Sequence, residues 1–531
     1  MIATLPHRNA GGDRSTEHAG ARPRWFRTGG RLTTLLLVPA ISAGLLLAGA
    51  VTAPANAASA PAASAKAAPA KAAPTPAAAI VGAGSGPVNI PAAKTHKKLV
   101  FAHYFTPYPI SLDNKPAVSD YYTQNYLKPT GENGKFANSG GLLRDRPLPK
   151  SPVGGNWKLE NQKTEVRQAI AAGIDGFSID ILGLTGRNWD SILSMMDAAH
   201  AVSPSFKIML MPDMTSATGS YNQATLANKM AILAARPAAY RISTGALVVA
   251  PFKGEARTPA WWTIFIKSMN NHGIKVAFLP VFLATGPNIP KYASISYGLS
   301  SWGVRNPQSI LAAPNYAAQA HKLGKKWMAP IAIQDSRPNQ FVYAESANTA
   351  TLRASWTRAI SDGADFTQLI TWNDYSEMTS FAPSVNHGHA YLDINAYYQT
   401  RFQTGSTPAI ARQAVFLTHR IQAHAATPAY KNKQMVWWNG GTTPRDTVEV
   451  LTFLKARATI TVTVGSIVRA YIAPAGVSAK LIPLTAGKVK ATAVRGGATI
   501  GTATSPFTVT KTPRVQDVEY FAVSSLRPNT K

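Results

Sequence analysis

Two carboxylic acids three positions apart, Asp374 and Glu377, stand in the segment Thr371-Trp372-Asn373-Asp374-Tyr375-Ser376-Glu377, at the end of an apolar run over 366–372. Breaking a glycosidic bond needs one protonated carboxyl for the leaving oxygen and one ionised carboxylate to activate water or attack carbon. A turn-like backbone here brings both side chains to the same side, where Trp372 can wall or desolvate one of them. Repulsion between neighbouring carboxylates raises one pKa and leaves an acid available at neutral pH. The competing reading of either acid is a helix cap. Further polar and aromatic residues follow other apolar runs: His103, Tyr104, Asp180, Asp213, Glu255, Trp302 and Asp335, with Lys253, Arg257 and Arg337 beside them. Each alone reads as a polar loop residue. Together with Trp372 and Asn373 they describe a substrate-binding cleft for sugar, in which aromatic rings cover the CH faces of a pyranose and polar groups take its hydroxyls. A metal centre is not expected, because the sequence has no cysteine and His387-Gly388-His389 lacks a complete ligand set.

Such chemistry needs a frame that gathers strand ends. Apolar runs over 99–105, 176–182, 206–211, 246–251, 274–282, 293–297, 327–333 and 366–372 are mostly short and rich in branched or aromatic residues. That pattern suits strands buried on both faces. Between them, 160–172, 192–201, 223–236, 259–271, 307–323 and 348–361 carry helical periodicity. The alternation predicts an α/β fold, a (β/α)8 TIM barrel, whose polar residues at the C-terminal strand ends share one cleft. Beyond Ala429, strand-like runs over 434–438, 447–453, 458–464, 468–472, 479–482, 491–494 and 506–509 predict an all-β C-terminal sandwich. Trp437 and Trp438 could stack on polysaccharide, but adjacent strand residues face opposite ways, so at least one belongs to the core.

Several of these segments resemble glycoside hydrolase family 71, the endo-α-1,3-glucanases or mutanases. The segment from Ile370 to Glu377 is similar to that family's Trp-Asn-Asp-Tyr-Gly-Glu signature, with Ser376 in place of Gly. Ala172-Gly173-Ile174-Asp175-Gly176-Phe177 resembles its second-strand segment, and Pro212-Asp213-Met214 its Phe-Asp-Met. Phe252-Lys253-Gly254-Glu255 resembles its Phe-Gly-Glu, and Val415-Phe416-Leu417-Thr418-His419-Arg420 a stretch before its C-terminal β domain. Asp180 stands where the family often has Asn. The resemblance implies a barrel plus sandwich, no cofactor, and inversion at the anomeric carbon. It makes Asp374 and Glu377 the catalytic carboxylates and Asp213 a supporting acid. We assign Glu377 as proton donor and Asp374 as base, and the reverse order is compatible with the motif. Endo-α-mannosidases that share the two acids three apart widen the substrate to other α-linked glycans. A catalytically inactive, polysaccharide-binding barrel is the non-enzymatic alternative.

The segment 108–156 is a long insertion after the first strand and is expected over the cleft mouth, where Asp113, Asp120, Tyr121 and Asp145 are candidate substrate contacts. The remaining organisation concerns export. Residues 1–57 combine basic residues, an apolar run over 32–51 and Ala55-Asn56-Ala57, which reads as a secretory signal peptide rather than an uncleaved anchor. Ala/Pro-rich 58–97 reads as a linker, 98–425 as the catalytic barrel and 426–531 as the sandwich. The expected product is secreted or extracellular, without an integral membrane domain in its mature form. The net charge of +29 is spread along the chain without a dense basic block, so it predicts loose attachment to acidic cell-surface polymers and no specific nucleic acid.

Overall fold

The computed structural model describes residues 98–529 except Asn439. The expected signal peptide and linker lie outside the described residues. One parallel sheet is built from β1 (Val100–Tyr104), β2 (Gly176–Ile181), β3 (Lys207–Pro212), β4 (Leu247–Val249), β5 (Val276–Phe278), β6 (Val281–Phe282), β7 (Gly298–Ser301) and β8 (Lys326–Ala332). After the short β9 (Asp335–Arg337) and β10 (Val342–Ala344), β11 (Phe366–Ile370) completes it. The strand order is β5-β4-β3-β2-β1-β11-β8-β7-β6, a curled sheet in which helices alternate with strands. Its two ends, β5 and β6, are consecutive in the chain and separated by Leu279-Pro280. Leu279 N bonds Val249 O at 2.9 Å and Val281 N bonds Pro251 O at 3.0 Å on one side. Tyr297 N bonds Phe278 O and Trp302 N bonds Phe282 O, both at 2.8 Å, on the other. Pro280 has no N–H to donate, and the regular ladder is interrupted there.

Alternation along these strands sorts their side chains into two populations. Val100, Ala102, Tyr104, Phe177, Ile179, Ile208 and Leu210 join the large core against the helices. Phe101, Met209, Met211, Val248, Ala277 and Met328 form a separate inner cluster. The segment Gly173–Phe177 shows the local reasons for its residues. Gly173 has φ +78°, a left-handed value, just after the helix Trp157–Ala171. Asp175 accepts a hydrogen bond from Val100 N at 2.9 Å, and a Cβ on Gly176 would stand 2.1 Å from Lys207 O.

The expected sixth strand, 293–297, is not one. Ala293–Ile295 is a short 3-10 turn and the strand is Gly298–Ser301, whose small residues hide it from a search for apolar runs. The expected helix 307–323 is split into Pro307–Ala312 and Tyr316–Lys322, with Pro314 in the break. Helices Thr285–Tyr292 and Ala390–Thr404 were not anticipated.

The C-terminal part holds two antiparallel sheets. One pairs β12 (Ala414–His419) with β14 (Thr447–Leu454) and β20 (Phe521–Ser524), and β14 in turn with β17 (Gly476–Pro483), while β13 (Val436–Trp437) pairs instead with β10. The other joins β15 (Ala458–Val464), β16 (Ile467–Ala473), β18 (Val489–Arg495) and β19 (Ala498–Thr504). They share an apolar core in which Val415, Leu417, Val448 and Val450 meet Ile460, Val462, Val489 and Ala491. The opposite face of the first sheet is buried too, with the Phe453 ring edge-on to Tyr397 of the helix Ala390–Thr404, 5.2 Å between centroids. β12 thus lies within the residues expected to be barrel, yet it is a strand of this sheet. The run at 434–438 serves the other body: Trp437 packs beside Tyr343, while Trp438 is 37% exposed. The run at 506–509 contributes a lone bridge, Gly487 to Val509.

Candidate active site

The inward side of the sheet is apolar at one level and polar at the next. On β1 and β2, the alternation that buries Val100, Ala102, Phe177 and Ile179 outward turns His103 and Asp180 inward. Asp213 follows β3 with the same sense. These three residues line a cleft with Trp302, Asp374 and Glu377; its free volume is about 1120 Å³, open solvent included. His103 is wedged between Met211 Sδ (3.1 Å from Nδ1), the Asp180 carboxylate (3.9 Å from Nε2) and the Trp302 ring (4.9 Å between centroids). Burial, helped by Arg305, lowers its pKa to about 3, so the imidazole is neutral.

Asp374 and Glu377 differ in how they are held. Asp374 Oδ1 accepts from Ser376 Oγ at 2.6 Å, Ser376 N at 3.0 Å and Glu377 N at 3.2 Å, while Asp374 N donates to Thr371 Oγ1 at 2.8 Å. Burial raises its proton affinity and those three donors offset part of that rise. Glu377 is fixed through its backbone, whose carbonyl accepts from Ser336 N at 2.9 Å. Its carboxylate lies 3.1 Å from Arg337 Nη2. Arg337 is already committed to Asp335, donating from Nε and Nη2 at 2.7 and 2.6 Å. Removal from water is the largest influence on Glu377; the Arg337 charge opposes it, the Asp374 and Asp335 charges add to it, and its pKa is pushed up to about 8. Desolvation also raises Asp180, where Asp213 and Asp374 add repulsion, and Asp213, which two bonds from Thr215 and the charge of Lys253 partly relieve. The arrangement offers a poised acid beside a hydrogen-bonded carboxylate, with Trp302 and Phe252 as apolar wall.

A profile described as glycosyl hydrolase family 71 matches residues 153–526. The chain belongs to this family. It is therefore a glycoside hydrolase, acting on O-glycosidic bonds. Among curated relatives, it is 24% identical over 383 residues to the glucan endo-1,3-alpha-glucosidase agn1 of Schizosaccharomyces pombe, covering 66% of this chain and 87% of that protein. A mutanase of Penicillium rubens is 24% identical over 376 residues, covering 65% and 80%. Among solved structures, the family 99 endo-alpha-mannosidase of Bacteroides thetaiotaomicron aligns with 58% of this chain and 98% of its own at 15% identity and a TM-score of 0.44.

Of the residues expected in the site of this family 71 hydrolase, several stand elsewhere. Tyr104 points outward and donates to Glu165 Oε2 at 2.9 Å, since it neighbours the inward His103 on one strand. Trp372 is likewise outward, fully buried with its ring 5.4 Å from Phe177, and so walls neither carboxylate. Asn373 is a clamp on the insertion: its Oδ1 accepts from Phe105 N at 2.7 Å and its Nδ2 donates to Phe105 O and Tyr108 O. Glu255 accepts from Leu283 N and Ala284 N, both at 2.8 Å, and orders the turn after β6. Asp335 reaches the cleft only through Arg337.

The insertion does cover the mouth, through Tyr108, Lys135, Phe136 and Leu142, residues that composition did not single out. Its acidic candidates are spent on structure. Asp120 caps the helix Tyr121–Asn125, Tyr121 bonds Glu132, and Asp145 faces His387 at 3.6 Å; Asp113 sits beside Lys115. Arg337, Asn339 and Gln340 also line the cleft from the β9–β10 hairpin. The legible signal for Arg337 was its spacing of two from Asp335, which puts both on one face of a strand. Among the described residues no helix is long and apolar enough to cross a membrane.

Proposed function

We propose that this hydrolase cleaves an α-glucan, most specifically an α-1,3-linked cell-wall or insoluble glucan, within the chain and with inversion. Glu377 protonates the glycosidic oxygen as the C–O bond breaks. Asp374 takes a proton from the water whose oxygen attacks the anomeric carbon from the other face. The observation that carries this reading is the unequal treatment of the two acids in one cleft. Burial raises both acids, but three donors to Asp374 offset part of its rise, whereas Glu377, without such donors, is raised to about 8 and keeps its proton at neutral pH. The substrate class is supported by the names of the relatives, an endo-1,3-alpha-glucosidase and a mutanase. Asp180, Asp213, His103 and Trp302 serve as substrate contacts in this reading.

The frame belongs to the same proposal. Counting the interrupted run 276–282 as one strand gives eight, and the sheet closes as a (β/α)8 barrel followed by a β-sandwich. Export rests on the basic and apolar leader within residues 1–57. Reducing-sugar release from a panel of α- and β-glucans and mannans tests the function. Release from α-1,3-glucan, with product of inverted anomeric configuration by NMR, is the expected result. Release from α-mannan alone moves the enzyme to another α-linked substrate, and a silent panel leaves it a binding protein.

A further inference from the structure

Glu377 is flanked by an ion pair that takes no part in bond cleavage. Asp335 and Arg337 are two apart on β9, so both side chains leave the same face of that strand and Ser336 faces the other way. The hairpin with β10 fixes the strand, with Asp335 opposite Ala344 and Arg337 opposite Val342. Ser336 N donates to Glu377 O at 2.9 Å, which sets the backbone of Glu377 beside the pair. Arg337 donates to both oxygens of Asp335, from Nε at 2.7 Å and from Nη2 at 2.6 Å, and Nη2 also lies 3.1 Å from Glu377 Oε2. The side chains of Asp335 and Arg337 are 4% and 5% exposed, so water screens this contact little.

The charges that face Glu377 are Arg337 and Asp335 from β9, Asp374 from its own segment, and Arg305 from the loop after β7. With Asp374 ionised, the two arginines and the two aspartates cancel, and an ionised Glu377 is one buried negative charge in excess. Removal from water penalises that excess, which is why Glu377 holds its proton up to about 8. Arg337 alone would draw the proton off, because an opposite charge this close favours the carboxylate. The bidentate grip of Asp335 occupies two of its N–H groups and cancels its charge.

We propose that Asp335 is a positioning residue for hydrolysis, acting through Arg337 to set how much positive charge the proton donor feels and so the pH range in which the enzyme turns over. The inference rests on Glu377 being the acid, as proposed above. Arg337 orients the Glu377 carboxylate, and Asp335 keeps that contact from becoming a full ion pair.

The pH profile of kcat tests it. Asp335→Asn preserves size and an oxygen for Arg337 but leaves the arginine charge uncancelled; the alkaline limb is expected to move down by about one to two pH units, with KM unchanged. Arg337→Gln moves the same limb up, and the two substitutions combined return it close to wild type. Lost packing does not give shifts of opposite sign that cancel. The combined variant strands no buried charge, so it stays informative where Arg337→Gln folds poorly. Melting temperature against pH, for each variant with and without Glu377→Gln, reads the Glu377 proton independently of turnover. If neither the limb nor that profile moves in Asp335→Asn, the proposal is overturned, and a raised KM then makes Arg337 a sugar contact that Asp335 holds in place. If the profile moves as expected and the limb does not, the coupling stands and the assignment of Glu377 as acid falls.

Discussion

Glu345 and Glu377 are both acids held by arginine, one in the seam under the C-terminal sheets and one in the cleft. Glu345 is fully buried, and its oxygens are taken by Ala347 N and Tyr520 Oη at 2.7 Å each and by Arg420 Nη2 at 2.7 Å. Arg420 in turn donates to Val518 O and Arg445 O and lies 4.2 Å over the Tyr520 ring. Charge and hydrogen bonds are matched on both sides, so this pair ties the strand β12 to the loop after β10. Glu377 shares its arginine with Asp335, stands near Asp374, and is 23% exposed along its side chain. Asp180, nearby, has an Oδ1 without a partner among the described residues. Matched carboxylates hold a fold together. Carboxylates kept short of partners retain protons and can exchange them, which is what hydrolysis requires.

Four measurements break or sharpen that contrast. The largest effect is expected at the cleft: Glu377→Gln or Asp374→Asn lowers turnover by about 10²–10⁴, and Glu377→Gln keeps a melting temperature close to wild type below about pH 4.5, where Glu377 carries its proton in both the folded and unfolded states. Full activity in either variant would remove that residue from the chemistry and direct attention to Asp180 and Asp213. In the seam the opposite pattern is expected. Arg420→Met strands the buried Glu345 carboxylate and costs about 3–5 kcal/mol of stability, with unchanged kcat per folded molecule; a stable but inactive variant would show that the seam takes part in catalysis.

The third measurement is pH dependence. Glu377 holds its proton to about 8 in the folded state against an ordinary 4.5. As an acid it must be protonated, so activity falls as pH rises through about 8. The folded chain binds that proton between the two values, so the stability it lends is complete below the unfolded value and lost as pH rises through the folded one. Glu377→Gln is therefore expected to gain on wild type in melting temperature from acid to alkaline pH, and parallel curves would contradict a raised Glu377. Ser376→Gly removes one donor from Asp374 and restores the residue of the family signature; the acid limb of the activity profile should move to higher pH, and an unmoved limb would mean that Asp374 does not set it. The smallest effect is expected at Tyr104→Phe, which loses one bond to Glu165, costs about 0.5–1.5 kcal/mol and leaves KM unchanged. A raised KM would return Tyr104 to the sugar.

The sequence by itself determined the strand-and-helix alternation, because buried parallel strands must be apolar on both faces and so announce themselves as short apolar runs. It also determined that Asp374 and Glu377 follow the last such run, and the family to which that segment points. It could not say which member of an adjacent pair faces inward. His103 and Tyr104, or Trp372 and its neighbours, read alike until hydrogen-bond register assigns each to a face. Nor could it find strand β7, whose Gly-Leu-Ser-Ser is a strand because its neighbours pair with it. Tertiary structure alone decided that Arg337 joins Asp335 to Glu377, that the insertion supplies Lys135 and Phe136 rather than its acids, and that Asn373 clamps rather than binds. Those roles depend on distances between residues remote in the chain, and local patterning carries no record of them.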